Sequence, residues 1–375
     1  MMKPIVATWR ITVCLMFLTL LVSPAMAQDA ASTRTVGGVK SMEDRVRHLE
    51  QALGRGIEGG NWFERIQVEG VIEFEAAHTR TRFSDPAQAD EEENDMDLAT
   101  VELAMDAAIS DHVDGHVLFK YEEDDLFVDE GFITLSGKDK YPVFLKAGRQ
   151  YLPFGYFDSH FVTDPATLVL GETNDGAVVA GYRFADDMVE VSAGLFNGAV
   201  NESGDDDMVD SVVAAVAFQP FESVMMGVSY TSNLISSDGL SEFAVNDTID
   251  EMVGGWSAYL TVAFLERFTF VAEYVTALDS YNAGEIYDPA DTRDRRPAAW
   301  NLELGFSILE NLEMAIGYGG SDDGGEEFLP ETQYGAVANW GIFDSTNLAL
   351  EFLRAEFDDD AVETDTVTLQ LAIEF

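Results

Sequence analysis

The last ten residues of the chain, 366–375, constrain the fold more than any other stretch. They read T-V-T-L-Q-L-A-I-E-F, and the apolar face carries Val367, Leu369, Leu371, Ile373 and Phe375. Alternation with a period of two indicates a β-strand with one apolar and one polar face. The same pattern recurs back to residue 64, in segments of about ten residues separated by turns and acidic loops. This repetition is typical of an outer-membrane β-barrel.

The alternation predicts about sixteen strands, an even number as closed bacterial barrels require. They are placed at 64–78, 96–110, 112–121, 126–137, 142–150, 174–183, 187–197, 209–219, 222–232, 251–264, 266–277, 298–307, 311–320, 332–343, 346–357 and 364–375. The fold class is therefore all-β, a transmembrane antiparallel barrel occupying residues 61–375.

The connections between these strands alternate between tight and long. The tight ones are Ser110–His112, Ala185–Asp186, Gln219–Phe221, Leu265–Glu266, Leu309–Glu310 and Asp344–Ser345. The long ones, acidic or rich in Gly, Asp and Ser, are 79–95, 151–173, 198–208, 233–250, 278–297, 321–331 and 358–363. Short periplasmic turns and long outer loops are the expected asymmetry of such a barrel, and a soluble sandwich would not produce it.

Residues 1–27 resemble a secretory signal sequence. Lys3 and Arg10 supply its positive region, an apolar run follows, and 25–27 read Ala-Met-Ala, a small-x-small cleavage site. The only cysteine, Cys14, lies in this run, so the mature chain is expected to have no disulfide. No later segment has 18 uninterrupted apolar residues, which argues against a helical membrane span. We expect a protein of the outer membrane of a Gram-negative bacterium, with its N-terminus in the periplasm.

The net charge of −48 limits the partners of the chain. Loss of Lys3 and Arg10 with the signal sequence changes this charge to −50, because no acidic residue precedes position 28. Nucleic acid is excluded as a partner, since phosphate binding requires clustered Lys and Arg. Two interpretations of the acidic loops stay open. They form a solvated acidic surface, or they hold divalent cations at an anionic outer surface.

Residues 28–60 form a separate segment, expected in the periplasm. Met42, Val46, Leu49 and Leu53 have the 4-3-4 spacing of a coiled-coil seam of about two heptads. Such a seam is too short to be stable alone, so it would associate only in chains held together otherwise, as in a homotrimer. The alternative is a single amphipathic turn against the barrel mouth. Four glycines between residues 54 and 60 then form a flexible joint.

One face of each predicted strand is apolar and is expected to contact lipid. Examples are Leu98, Val101, Leu103 and Met105 in one strand, Phe268, Phe270, Ala272 and Tyr274 in another, and Trp300, Leu302, Leu304 and Phe306 in a third. Aromatic residues at strand ends suit the girdles at the membrane interfaces, namely Tyr121, Tyr230, Phe264, Tyr318, Trp340 and Phe357. The expected partners of this outer wall are membrane lipid and lipopolysaccharide.

The opposite faces line the lumen and are acidic. The alternation assigns to the lumen Glu69, Glu73, Glu75, Glu102, Asp106, Asp114, Glu190, Glu273, Glu303, Glu313 and Glu351, with Lys120 and Lys146 as the only clear inward bases. A barrel of sixteen strands leaves an aqueous channel. This wall should favour cations and repel simple anions, unlike that of a phosphate-selective porin, which needs a ladder of Arg and Lys.

The third outer loop, 151–173, is more apolar and aromatic than the other loops. An apolar loop is better buried than solvated, and in a barrel it can be buried inside the lumen as a constriction. The residues expected along the ligand path are Arg149, Tyr151, Phe154, Tyr156, Asp158, His160, Asp164 and Glu172. The alternatives are a trimer contact or a lid folded over the barrel.

The stretch 147–173 reads A-G-R-Q-Y-L-P-F-G-Y-F-D-S-H-F-V-T-D-P-A-T-L-V-L-G-E-T and resembles that of the LbtU family of siderophore porins. The resemblance covers residues 41–375, including the heptad segment and the terminal Phe375. It implies an outer-membrane barrel that takes up iron–siderophore complexes without an N-terminal plug. A last strand ending in Phe375 is expected to engage the barrel assembly machinery. The heptad segment is brief for this family.

Two other functions compete with siderophore uptake. A general cation-preferring diffusion porin fits the composition equally well. A barrel enzyme is disfavoured, because the adjacent Ser159 and His160 would point in opposite directions on a strand, whereas a nucleophile and its base must face each other. No cofactor is expected. The acidic runs 91–93, 205–207 and 358–360 lack the ligand spacing of a calcium loop, so no metal site is predicted.

Overall fold

A computed structural model describes residues 65–122, 125–137, 141–185, 187–204, 209–357 and 361–375. The expected signal sequence, the heptad segment and the glycine joint lie outside the described residues. The described part contains eighteen strands. None of its helices is long and apolar enough to cross a membrane.

Sixteen of the strands form a closed antiparallel barrel, which confirms the predicted fold class. Their bounds are β1 Ile66–Phe83, β2 Glu91–Ser110, β3 Val113–Glu122, β4 Asp125–Ser136, β5 Val143–Tyr151, β6 Asn174–Phe184, β7 Val189–Phe196, β9 Ser211–Phe221, β10 Val224–Thr231, β12 Gly255–Phe264, β13 Phe268–Ala277, β14 Ala298–Leu309, β15 Leu312–Asp322, β16 Thr332–Phe343, β17 Thr346–Phe357 and β18 Val362–Glu374. Each barrel strand pairs with its neighbour along the chain. The barrel closes between β1 and β18, with Ile72 opposite Ile373.

The period-two pattern separates two surfaces of the wall. In β14, Leu302 and Leu304 are 42% and 36% exposed on the outside, whereas Glu303 between them is 3% exposed on the inside. The outer face continues around the barrel and carries strand-end aromatics such as Tyr318. Phe357 departs from this pattern, because it has the parity of the buried, inward Glu351 and therefore does not belong to the outer girdle.

The first hairpin is longer than the sequence predicts. β1 runs to Phe83 and β2 begins at Glu91, so the predicted loop 79–95 shrinks to residues 84–90. Apart from Phe83, the added strand residues are polar on both faces, which removes the alternation used to recognise strands. His78 Nδ1 lies 2.9 Å from Asn94 Oδ1 across the pair. The hairpin therefore extends as a polar ribbon beyond the apolar band.

The other outer loops contain an apolar core that composition did not reveal. They include helix α1 at Ala166–Gly171, a 3-10 turn at Leu234–Ser236, helix α2 at Asp238–Glu242 and a parallel pair of two-residue strands, β8 Asn201–Glu202 and β11 Thr248–Ile249. Buried side chains from these loops pack with inward residues of β6, β7, β9, β13 and β14, among them Leu170, Phe196, Leu234, Ile235, Leu240, Val275 and Ile286. The described parts of these outer loops thus share a packed apolar core with the inner wall of the barrel.

Candidate channel constriction

The loop between β5 and β6, residues 152–173, is anchored to the inner wall of the barrel. Its two ends meet where the Leu152 amide donates to the Thr173 carbonyl oxygen over 2.9 Å. Between these ends the loop contacts inward side chains of β10, β13, β14 and β17 in turn. The segment between residues 152 and 173 therefore crosses the lumen. We call it the constriction loop.

Glu273 on β13 holds the first part of the constriction loop. Its carboxylate accepts hydrogen bonds from the amides of Tyr156 and Phe157, at 2.9 and 2.8 Å, and from the Ser257 hydroxyl at 3.1 Å. Phe157 has φ 56°, a left-handed conformation uncommon for a residue other than glycine. Successive amides around such a residue form a concavity that binds anions. The glutamate carboxylate fills this concavity and compensates the local strain.

Glu303 on β14 holds the next part of the loop. It accepts hydrogen bonds from the Ser159 hydroxyl at 2.8 Å and from the His160 amide at 2.6 Å. The Asn301 side-chain amide donates to the same carboxylate at 2.7 Å. Three donors therefore satisfy a carboxylate that is only 3% exposed, which is what burial of a charged group requires.

Glu351 on β17 holds the far part of the loop. Its carboxylate accepts from the amides of Val162 and Thr163, at 2.6 and 3.2 Å, and from the Thr163 hydroxyl at 2.6 Å. Glu273, Glu303 and Glu351 thus form a set that we call the glutamate ladder. Hydrogen bonds to charged groups contribute ~1.5–3 kcal/mol each to stability, so the ladder is a strong tether for a loop of this length.

Inward glycines give the constriction loop the space to lie against the wall. A Cβ at Gly305 would lie 2.6 Å from the His160 ring, and one at Gly317 would lie 2.7 Å from the Phe161 ring. Nδ1 of His160 lies 2.7 Å from the Glu313 carboxylate, and the Asn339 amide donates to the His160 carbonyl oxygen over 2.9 Å. A glycine at these positions therefore serves the close approach of loop and strand.

A cavity of about 850 Å³ lies between the constriction loop and the part of the wall that includes β3, β5 and β6, away from the glutamate ladder. Its wall includes Lys120 on β3, Lys146 on β5 and Arg183 on β6. These are the only inward-facing Lys and Arg among the described strand residues. The sequence identified the first two and missed Arg183, although Arg183 has the parity of the buried Ala177 and Val179.

Both charges and aromatic rings line the cavity. Arg183 Nε donates to Glu190 over 2.7 Å, and Lys120 Nζ lies 3.1 Å from Glu122. The cavity-lining acids are Glu102, Asp129, Glu130, Asp164, Glu172, Asp187, Glu190 and Glu222, and the lining aromatic residues are Phe144, Tyr151, Phe154, Tyr156, Phe157, Phe221 and Tyr259. The Tyr156 ring stacks on Tyr259 with centroids 4.9 Å apart.

The residues expected along the ligand path do not all lie at one site in the structure. The cavity is lined by Tyr151, Phe154, Tyr156, Asp164 and Glu172. Asp158 and His160 lie farther along the loop, near the segments bound by Glu273 and Glu303. Arg149 does not lie with them, because the alternation of β5 puts it on the face opposite to Lys146 and Gln150. It is exposed, and its Nε donates to the Asp129 carbonyl oxygen.

The residues expected to line the lumen have the inward parity in the structure. They are Glu69, Glu73, Glu102, Asp106, Asp114, Lys120, Lys146, Glu273, Glu303 and Glu351. These residues differ, however, in how accessible they are to the lumen. The loop covers the glutamate ladder, and Asp106 is buried beside His116 at 2.5 Å. The exposed Glu69, by contrast, is accessible from the lumen. In the described ranges, no group of three or more His, Cys, Asp or Glu is placed to hold a metal ion.

Comparisons with known proteins agree with this architecture. No protein-family model matches the chain. Among solved structures, the outer membrane channel DcaP of Acinetobacter baumannii matches with a TM-score of 0.61 at 13% identity, over 83% of this chain and 97% of that one. An anion-selective porin from Comamonas acidovorans matches with a TM-score of 0.57 at 11% identity, over 83% and 99%. The chain has a porin-like outer-membrane channel fold.

A relative by sequence is the UPF0422 protein of Coxiella burnetii, 26% identical over 271 residues and 68% of this chain. The chain spans 58% of the length of that relative. The similar structures are channels rather than enzymes, and at these identities they establish the fold alone. What passes through the lumen must therefore be argued from the residues that line it.

Proposed function

We propose that the chain is a diffusion porin that passes small hydrophilic solutes and prefers cations. The observation that carries this proposal is the constriction loop, tied across a closed sixteen-strand barrel by three glutamates. A barrel of this size encloses an aqueous channel. A tethered loop narrows this channel without filling it, since a cavity of about 850 Å³ lies beside the loop.

The charges along the path support a preference for cations. Among the described strand residues, three Lys or Arg side chains face inward, and two of them, Lys120 and Arg183, are paired with carboxylates. On the constriction loop, Asp164 and Glu172 have no ion-pair partner among the described residues. Burial raises the pKa of Glu172 to about 8, so this residue adds its negative charge mainly at alkaline pH. Rings of acidic side chains make a pore attractive to cations, and narrow clefts of one sign raise the local concentration of counter-ions.

Planar-bilayer recording of the purified protein in a KCl gradient tests this function. We expect stable open channels whose reversal potential has the sign of cation selectivity. Anion selectivity would contradict the assignment of the lumen charges. A correctly folded barrel that conducts no ions would contradict the porin function itself.

Uptake of iron–siderophore complexes is the second candidate, and the lining of the cavity favours it. A volume of about 850 Å³ falls in the range of about 300–1,000 Å³ typical of sites for organic ligands. The wall combines Lys146 and Arg183 with aromatic rings, which suits a large metal chelate. Saturable block of the current by a ferric siderophore would support this function. Unchanged current with ferric complexes of several charges and sizes would leave only the general porin.

We also propose that residues 1–27 are removed on export and that residues 28–60 are a periplasmic segment supporting a homotrimer in the outer membrane. The heptad spacing supports this proposal.

N-terminal sequencing of the mature protein tests the cleavage. The native mass in detergent, measured with and without 28–60, tests the trimer, which is expected to weaken without the segment. Contacts of Phe375 with the assembly machinery and of the outer wall with lipopolysaccharide can be tested by cross-linking in cells.

A further inference from the structure

We propose that the cavity beside the constriction loop selectively retains organic cations, that is, solutes that join a positively charged nitrogen to an apolar body. This inference rests on the proposed function as a porin and names the class of solute that the channel would bind. It depends on three features of the cavity: the partners of its bases, the free carboxylates of its loop wall, and its aromatic rings.

The bases of the cavity are already engaged. Arg183 donates to Glu190 over 2.7 Å and lies over the Phe144 ring, 5.2 Å from its centroid. Lys120 lies 3.1 Å from Glu122. Lys146 lies over the Phe132 ring at 5.2 Å. An anionic solute would therefore have to compete with contacts inside the protein.

The carboxylates of the loop wall are in the opposite situation. Asp164 and Glu172 have neither an ion pair nor a side-chain hydrogen bond among the described residues. Burial raises the pKa of both carboxyl groups while Lys120 opposes the shift, so the ionised form of Glu172 predominates only at alkaline pH. Further lining acids, including Glu102, Asp129 and Glu130, add negative charge to the same cavity. Because like charges repel in a narrow cleft, this wall disfavours anions and leaves charge for an incoming cation to neutralise.

The aromatic rings decide which cations benefit most. Tyr151, Tyr156, Phe157 and Tyr259 line the cavity next to the loop wall. A cation over a ring face is attracted by the electrons of the ring, and this attraction grows when water is removed. Potassium gains from the carboxylates alone, whereas an organic ammonium ion also buries apolar surface against the rings. Two cationic side chains of the cavity wall already lie over ring faces, Arg183 over Phe144 and Lys146 over Phe132.

A pair of probes of similar shape and opposite charge tests this inference. Phenyltrimethylammonium and benzenesulfonate both carry one benzene ring. In single-channel recordings of the full chain, we expect saturable block by phenyltrimethylammonium at concentrations where benzenesulfonate has no effect. Tetramethylammonium, which has the charge without the ring, should block more weakly than phenyltrimethylammonium.

Two sets of variants locate the site. At pH 9, where Glu172 is ionised, Asp164→Asn combined with Glu172→Gln should weaken the block by phenyltrimethylammonium about tenfold, since two charges close to the cation are lost. Tyr259→Leu should weaken it about threefold and should weaken block by tetramethylammonium less, because that ion loses the cation–π attraction but has no benzene ring to pack against Tyr259. The matched control is Glu326→Gln combined with Glu327→Gln, two exposed carboxylates on the loop between β15 and β16. This control should leave the block unchanged. The circular dichroism of each variant verifies that its barrel is folded.

The outcomes separate this inference from the proposed function. Open cation-selective channels that phenyltrimethylammonium does not block would overturn the inference and leave the porin intact. Equal block by benzenesulfonate, or an effect of the control as large as that of the loop variant, would also overturn it. Folded protein without ion conductance would instead contradict the porin function.

Discussion

Two parts of the lumen wall follow the same alternation but do different things. On β13, β14 and β17, the inward glutamates of the ladder accept hydrogen bonds from the constriction loop and are covered by it. On β3, β5 and β6, the inward bases face a cavity. An inward glutamate that the constriction loop covers is a tether, whereas inward charges that line the cavity are accessible to a solute.

Removal of the constriction loop should have the largest effect. Deletion of residues 156–170 eliminates every hydrogen bond from the constriction loop to the glutamate ladder, so the lumen should widen and the single-channel conductance should rise strongly. Shortening the exposed loop between β1 and β2 by deleting 85–89 is the control and should leave the conductance unchanged. A folded 156–170 deletion with the wild-type conductance would show that the loop does not limit passage.

Adding a side chain at an inward glycine that contacts the constriction loop should have the next largest effect. In Gly305→Ala the new methyl group would lie 2.6 Å from the His160 ring. Overpacking of this kind costs ~1–3 kcal/mol, which should lower the unfolding midpoint in detergent and make the current noisier. Gly115→Ala is the matched control, since no atom lies within 4 Å of its added Cβ. Equal behaviour of the two variants would argue against the packing of the loop on β14.

The binding of cations in the cavity should depend on pH through the ionisation of Glu172. Partial burial, and then repulsion by Asp164 and Asp238, raises the pKa of Glu172 to about 8, with Lys120 opposing and Asp129 adding to the shift. Tyr151 faces the same carboxyl group. The side chain is therefore mostly neutral at pH 6 and ionised at pH 9. Block by phenyltrimethylammonium should strengthen as pH rises over this interval, measured by titration of the current. Glu172→Gln should flatten the dependence, and a Gln variant with the wild-type pH profile would assign the titration to another group.

The smallest effect is expected from a carboxylate that is exposed in the lumen. Glu69→Gln removes one accessible charge from the short-turn side of the barrel. The reversal potential should move slightly toward zero, while the conductance stays the same because no contact to the constriction loop is lost. A shift toward stronger cation selectivity would be inconsistent with an inward Glu69.

The sequence predicts the barrel because the period of two is a local property of each strand. It also assigns the inward acids and the crossing of the lumen by an apolar loop. It could not show the glutamate ladder, because Glu351 and its partner Thr163 are 188 residues apart. A usable signal was present in the inward glycines Gly305 and Gly317, which leave room for a second layer inside the wall.

The other differences between the sequence-based assignments and the structure can also be traced to particular residues. Arg149 was grouped with the loop that follows it, although it continues the alternation of β5 on the outer face. Arg183 was missed because it is the last residue of a predicted strand, where parity is hardest to assign. The apolar core of the outer loops arises from single hydrophobic residues such as Leu234 and Leu240, which come together only when separate loops pack.

The most direct test of the hydrogen bonds between the constriction loop and the wall replaces the three glutamates of the ladder and leaves the loop sequence unchanged. Single-channel conductance should be compared between the wild-type protein and the triple variant Glu273→Ala, Glu303→Ala and Glu351→Ala, with the barrel verified by circular dichroism. We predict a higher and more variable conductance in the triple variant, because the constriction loop loses its anchors. An unchanged, stable conductance would mean that the three glutamates do not hold the constriction in place.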